Sequence, residues 1–177
     1  MVAMVPLEPM VPMIVVAIAT LAAGTDLATR RIPNLLTLGA AAVALAFHAV
    51  QGGAHGFGLA LAGWLVGAAV FFPVFALGGM GAGDVKLVAA LGAWLGPVGA
   101  LQVAAFSAVA GGVVAIIVMV RAHYLHTALA NLFRLFGYWR TAGVRPMPDL
   151  TLATAGGPRL AYGVPILIGT MGTLWLR

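Results

Sequence analysis

Two aspartates, Asp26 and Asp84, each sit where an apolar stretch of the chain meets a polar or glycine-rich segment. The other two acidic residues, Glu8 and Asp149, lie in segments predicted to face solvent. A carboxylate beside a hydrocarbon-like segment is costly, so it usually faces a polar interior and marks a functional site. Asp26 and Asp84 are therefore the first candidates for chemistry.

Two carboxylates brought into contact cannot both ionise cheaply, so they share one proton and titrate as a unit. The ionised member can activate a water molecule, while the protonated member polarises a carbonyl group. Such a pair hydrolyses peptide bonds. The alternative is structural: Asp26 pairs with Arg30 one helical turn later, and Asp84 caps the helix that follows it.

The composition indicates that these aspartates belong to a membrane protein. Of the 177 residues, 63% are hydrophobic and only 7% are charged, whereas soluble domains carry about a quarter charged residues. The net charge of +5 is interpreted as a sign of membrane topology and not of nucleic acid binding. The chain has no cysteine, which excludes disulfides and thiolate metal sites.

The apolar stretches predict an all-α, polytopic transmembrane helix bundle in one domain, residues 1–177. About six spans are expected, of which the fourth is short or re-entrant. They are residues 10–24, 35–50, 57–77, 85–95, 98–120 and 160–176. No basic residue precedes the first span, which is the wrong polarity for a cleaved signal. We therefore expect a retained span with its N-terminus outside.

Basic residues support this topology, because cytoplasmic segments of membrane proteins are enriched in Lys and Arg. The predicted inner segments are 25–34, 78–86 and a cytosolic segment, about 121–159. Eight of the nine Lys and Arg residues lie in these inner segments, and only Arg177 lies on the predicted outer side. The inner ones are Arg30, Arg31, Lys86, Arg121, Arg134, Arg140, Arg145 and Arg159.

The inner segment after residue 121 contains an amphipathic pattern. Leucine and phenylalanine recur at helical spacing from Leu125 to Phe136. This pattern predicts a helix lying in the membrane interface. Alternatively, the apolar face of this helix packs against the helix bundle, which is the more common role of such a face.

Three motifs carry a family resemblance. DLATRRIPN at residues 26–34 resembles the first aspartate motif of the type IV prepilin peptidases. GAGDVK at residues 81–86 resembles their GxGD signature, and YGVP at residues 162–165 resembles their C-terminal Tyr-Gly-x-Pro segment. GxGD alone is weak evidence in a glycine-rich chain. Both aspartate motifs at matching span ends make a strong signal.

This resemblance implies a membrane aspartic endopeptidase of the cytoplasmic (inner) membrane, with Asp26 and Asp84 as the catalytic pair and no metal or cofactor. Its partners would be prepilin-like precursors and the lipid bilayer, not nucleic acid. The family removes a basic leader at the cytoplasmic face, just before the precursor's hydrophobic helix. The chain resembles the short form found with tight-adherence (Flp) pili, and archaeal preflagellin peptidases, so we expect no N-methyltransferase activity.

Five neighbours of the aspartates are candidates for supporting or substrate-contacting roles: Pro33, Asn34, Gly81, Gly83 and Lys86. The glycines either let backbone approach a substrate or only allow close packing. Pro33 suits the first turn of the second helix. Asn34 either forms a hydrogen bond in the catalytic region or only caps a helix. Lys86 either stabilises an ionised Asp84 or anchors at the interface.

Two other functions compete with proteolysis, and the histidines raise the separate question of a metal site. A transporter or channel would use the aspartates to bind a cation or relay protons, with a carboxylate near mid-membrane. A non-enzymatic scaffold of a pilus or secretion assembly would not need them. A metal site is suggested by His123 and His126, three residues apart, but no third ligand accompanies them.

Overall fold

A computed structural model of the protein describes residues 10–151, 154, 156–157 and 160–176. These residues form α-helices and one short 3₁₀ turn, Pro148–Leu150, without any strand. The helices are α1 (Met10–Thr29), α2 (Asn34–Ala76), α3 (Ala82–Arg121), α4 (Leu125–Ala142) and α5 (Gly163–Trp175). Glu8, Arg159 and Arg177 lie outside the described residues.

Helix α1 continues beyond the expected end of the first span at residue 24. It runs to Thr29, and the next residue, Arg30, has a left-handed backbone with φ of 56°. Pro33 then precedes α2 with an extended backbone. Because the polar residues after Gly24 still suit a helix, Asp26 lies inside α1 and not in the following loop.

Helix α2 is broken at Gly53, where φ is 59° and ψ is −145°. We call its two parts α2a (residues 34–52) and α2b (residues 54–76). A Cβ atom at Gly56 would overlap the carbonyl of His48, although eight residues of a straight helix span about 12 Å. The chain therefore reverses at Gly53, and the turn is tighter than residues 51–56, the interval between the second and third predicted spans.

Helix α3 reverses in the same way at Gly96, where φ is 74° and ψ is 178°. Its parts are α3a (residues 82–95) and α3b (residues 97–121), which begins at Pro97. A Cβ at Gly92 would lie only 2.9 Å from Cβ of Ala100. The break is where the sequence predicts the end of the fourth span.

Helix α3a is the centre of the fold. Every residue from Leu87 to Leu95 is buried, as is expected of a helix that is apolar on all sides. Its backbone touches that of α2b: a Cβ at Gly63 would overlap the Gly92 carbonyl, and one at Gly67 would lie 2.6 Å from the Val88 carbonyl oxygen. Small residues allow such close helix packing in membranes.

Three helices, α1, α2 and α3, are long and apolar enough to cross a membrane, and α5 is apolar but shorter. Helix α5 packs against α1 and α3, whereas α2 packs mainly against α3 and scarcely touches α1. A gap is thus left between α1 and α2a. The all-helical class is confirmed, with three helices long and apolar enough to span a membrane, and six separate crossings remain a prediction.

Helix α4 coincides with the predicted amphipathic stretch. None of its residues is buried, and Leu129, Phe133 and Phe136 are exposed. It contacts α3, but its apolar side chains are not part of the described core. The packing alternative therefore gains no support, and the interfacial interpretation stays a prediction.

Candidate active site

Asp26 lies in the last turns of α1 with 8% of its surface exposed. Its Oδ2 accepts a buried hydrogen bond of 2.9 Å from the backbone N–H of Gly163, the first residue of α5. A negative charge near the C-terminal end of a helix is unfavourable, whereas one at an N-terminus is stabilised. The N-terminus of α5 thus offsets the poor position of Asp26 on α1.

Asp84 lies in the first turn of α3a with 9% of its surface exposed. Its Oδ2 accepts a hydrogen bond of 3.3 Å from the N–H of Gly81, the residue before the helix. This is the capping contact that the structural alternative predicts. Capping leaves the other carboxylate oxygen available, so the contact is compatible with a catalytic role.

The two aspartates line one cavity of about 380 Å³. The five neighbours singled out in the sequence, Pro33, Asn34, Gly81, Gly83 and Lys86, line it as well. The cavity is completed by Arg30, Arg31, Ile32 and Ala82. Folding thus brings together two motifs that are far apart in the chain.

The wall of this cavity is held by a contact between the two motifs. Lys86 Nζ donates a 2.9 Å hydrogen bond to Asn34 Oδ1 and so links α3a to the start of α2a. A Cβ at Gly83 would lie 3.2 Å from Cβ of Ile32. At Gly83, therefore, the absence of a side chain allows close packing between the motifs.

The role of Gly163 in the site is not predicted from the sequence. YGVP is visible as a motif, but no pattern assigns its backbone N–H to Asp26. A Cβ at Gly163 would lie 3.1 Å from Cβ of Asp26 and 3.1 Å from Cα of Ala23. Any side chain at this position would require α1 or Asp26 to shift by a few tenths of an ångström, so glycine suits the close approach of α5 to α1.

Tyr162 fixes the start of α5 from the other side. Its hydroxyl donates a 3.3 Å hydrogen bond to the Ser107 carbonyl, and its ring meets Phe71 edge-on at 5.9 Å. The ring also lies against Gly111, where a Cβ would be 2.7 Å from a ring carbon. Tyr162 therefore anchors α5 to α2b and α3b, and Gly163 follows directly.

The cavity combines both signs of charge. Arg30, Arg31 and Lys86 line it together with the two carboxylates. Two carboxyl groups that line one small cavity can act on the same water molecule, one as a base and the other, when protonated, as an acid.

The histidines give no indication of a metal centre. Within the described ranges, no group of three or more His, Cys, Asp or Glu residues is placed to hold a metal ion. His48 Nε2 instead donates a 3.2 Å hydrogen bond to the carbonyl of Trp94, which lies at the opposite end of α3a from Asp84.

Comparison with known proteins bears on this site. The model of the type IV leader peptidase family matches residues 13–116, more than half of the chain, including both aspartates. No curated protein and no solved structure matches the chain. The family match agrees with the resemblance seen in the motifs, and the chain belongs to the type IV leader peptidase family.

Proposed function

We propose that the protein is a membrane aspartic endopeptidase that removes the basic leader from prepilin-like precursors at the cytoplasmic membrane face. Asp26 and Asp84 are its catalytic pair. The observation that carries the proposal is that both are buried and line the same cavity. The family match supports a leader peptidase.

In the reaction, one carboxylate removes a proton from water as the water oxygen attacks the scissile carbonyl carbon. The other, protonated carboxyl donates its proton to the carbonyl oxygen. The tetrahedral intermediate collapses as the C–N bond breaks: the leaving nitrogen takes up the proton that the first carboxylate removed from water, and a hydroxyl of the intermediate returns a proton to the second carboxylate. The hydrogen bonds from Gly81 and Gly163 hold the two carboxylates in place.

The position of the aspartates supports a site at a membrane edge. Asp26 is near the end of α1 and Asp84 is in the first turn of α3a. A transporter would need a carboxylate near mid-membrane. The inner sidedness rests on the predicted enrichment of Lys and Arg in segments 25–34, 78–86 and 121–159, with α1, α2a, α2b, α3a, α3b and α5 as six membrane segments.

Asparagine variants test the catalytic pair. Asp26→Asn and Asp84→Asn keep side-chain size but remove the proton-transfer group, so each is expected to abolish cleavage of a coexpressed precursor. Membrane insertion should be retained. Asp149→Asn is the matched control, because Asp149 is exposed in the 3₁₀ turn, and it should cleave at the normal rate.

Normal cleavage by either variant would end the proposal of a catalytic pair. An Asp84-dependent ion flux in proteoliposomes, without any peptidase activity, would instead favour a transporter. Full pilus assembly with both asparagine variants would favour a non-enzymatic scaffold.

A further inference from the structure

A second depression lies beside the candidate active site, in the gap between α1 and α2a. This apolar groove has a volume of about 490 Å³, and none of its lining residues is charged. Ile14 and Ile18 of α1 form one wall, and Leu35 and Val43 of α2a form the other. The groove is open on one side, since Leu35 and Val43 are 87% and 57% exposed.

The base of the groove is rigid. Trp94 of α3a lines it and is only 3% exposed. Its Nε1 donates a 3.1 Å hydrogen bond to the carbonyl of Ala40, on α2a. The indole is therefore fixed between α3a and α2a, and the groove is a preformed surface.

The groove adjoins the cavity that contains the aspartates. Pro33 lines both, and Asn34 of the cavity is followed by Leu35 of the groove. Ile18 and Ile14 precede Asp26 by eight and twelve residues on α1, about 12 and 18 Å along the helix. The groove therefore extends from the charged cavity along the apolar part of α1.

We infer that this groove binds the hydrophobic helix of the precursor, while the charged cavity holds the scissile bond. The inference rests on the proposed function, in which the cut falls just before such a helix. A bond placed at the aspartates would set the first two or three turns of an adjoining helix along the groove. An apolar helix face fits a groove with no charged lining, as in other helix-in-groove recognition.

Filling the groove tests this inference. Val43→Trp adds a bulky side chain at an exposed groove position and should slow cleavage of the full precursor by at least about tenfold. A water-soluble peptide that contains the leader and cleavage site, but lacks the hydrophobic helix, should be cleaved as before. Val50→Trp is the matched control: Val50 is also on α2a, is 83% exposed and does not line the groove.

A photo-crosslinker at position 43 provides an independent readout in the Asp84→Asn protein, which is expected to bind precursor without cutting it. It should capture the precursor's hydrophobic helix, whereas a crosslinker at position 50 should not. Crosslinks from position 43 to lipid alone would overturn the inference.

Two kinetic outcomes would contradict binding of the precursor helix in the groove, and both can be told apart from failure of the proposed function. Equal slowing of precursor and soluble peptide by Val43→Trp would mean a structural effect, and unchanged rates for both would mean that the groove is not used. The wild-type protein would still cleave in either case. Absence of cleavage by the wild type would instead contradict the peptidase itself.

Discussion

At the scale of single residues, the site depends on two backbone N–H groups as much as on two carboxylates. Gly163 and Gly81 each donate to one aspartate. A hydrogen bond to a charged group contributes about 1.5–3 kcal/mol of stability. Here the more important effect is that the bond orients the carboxylate. Each bond engages Oδ2 of its aspartate and does not itself occupy the second carboxylate oxygen, which water or substrate could contact.

Gly163→Ala is expected to impair catalysis by displacing Asp26. The new Cβ would lie 3.1 Å from Cβ of Asp26 and 3.2 Å from its Oδ2, so the carboxylate or α5 must move. The required shift is a few tenths of an ångström, a fraction of the roughly 1 Å displacement that can cost about a hundredfold in rate. We expect kcat for peptide cleavage to fall about threefold to tenfold, with a smaller change in KM.

Gly172→Ala is the control on the same helix. Its Cβ would meet the Phe106 ring at 3.5 Å, an ordinary contact. This variant should keep normal kcat, because it is far from the aspartates and improves helix propensity. Equal kinetics for Gly163→Ala and Gly172→Ala would show that the Asp26–Gly163 bond does not position the catalytic group.

The residues of the site were predictable only in part. The two aspartates stand out because charged side chains beside apolar segments are costly, and the structure places both in one cavity. Gly163 could not be found by the same reasoning, because its contribution is a backbone N–H whose partner is set by tertiary packing. The Lys86–Asn34 bond also depends on folding, since either residue alone suits a simple capping or anchoring role.

At the scale of helices, close backbone contact between α2b and α3a holds the core together. Gly63 and Gly92 face each other so closely that a Cβ on either would overlap the partner's carbonyl. The site depends on this contact, because α3a carries Asp84 at its first turn. A substitution that separates α2b from α3a should therefore also displace Asp84, because α3a carries it.

Gly63→Ala should destabilise the protein, whereas Gly58→Ala should not. Both glycines are in α2b, but a Cβ at Gly58 meets nothing within 4 Å. Overpacking of a filled interior costs about 1–3 kcal/mol, so Gly63→Ala should lower the thermal midpoint in detergent by several degrees. Identical midpoints for the two variants would contradict the tight α2b–α3a packing.

The helix boundaries show where sequence patterns fall short. Hydropathy locates the apolar segments, and Gly96-Pro97 marks the end of α3a as expected. It does not predict that α1 continues through Asp26 to Thr29, because a polar residue at a span end suits both a helix and a loop. Hydropathy also does not indicate that the chain reverses at the single residue Gly53, because several glycines lie close together there.

At the scale of the whole molecule, the proposal has a definite orientation. Both reversals, at Gly53 and Gly96, are on the side of the fold opposite the aspartates if α2a, α2b and α3a run as membrane segments. The segment after α4 should then be cytoplasmic with the active site. Since the chain has no cysteine, single introduced cysteines can report each side without background.

Arg145→Cys and His55→Cys should label from opposite sides of the membrane. Both positions are exposed. In intact cells whose outer barriers admit the reagent, a membrane-impermeant maleimide should label His55→Cys, and it should label Arg145→Cys only after the inner membrane is opened. Each variant should first be shown to cleave precursor normally. The reverse labelling pattern would contradict the cytoplasmic site.

The reversal at Gly96 has a consequence for the hydrophobic thickness of the membrane. With its fourteen residues from 82 to 95, α3a is about 21 Å long, whereas the hydrocarbon layer is about 30 Å thick. If α3a starts at one membrane edge, as in the proposed topology, it turns back about 9 Å short of the other. Backbone groups exposed at that turn cannot reach interfacial water, so protein groups must meet them. The hydrogen bond from His48 to the Trp94 carbonyl satisfies one such group at this depth.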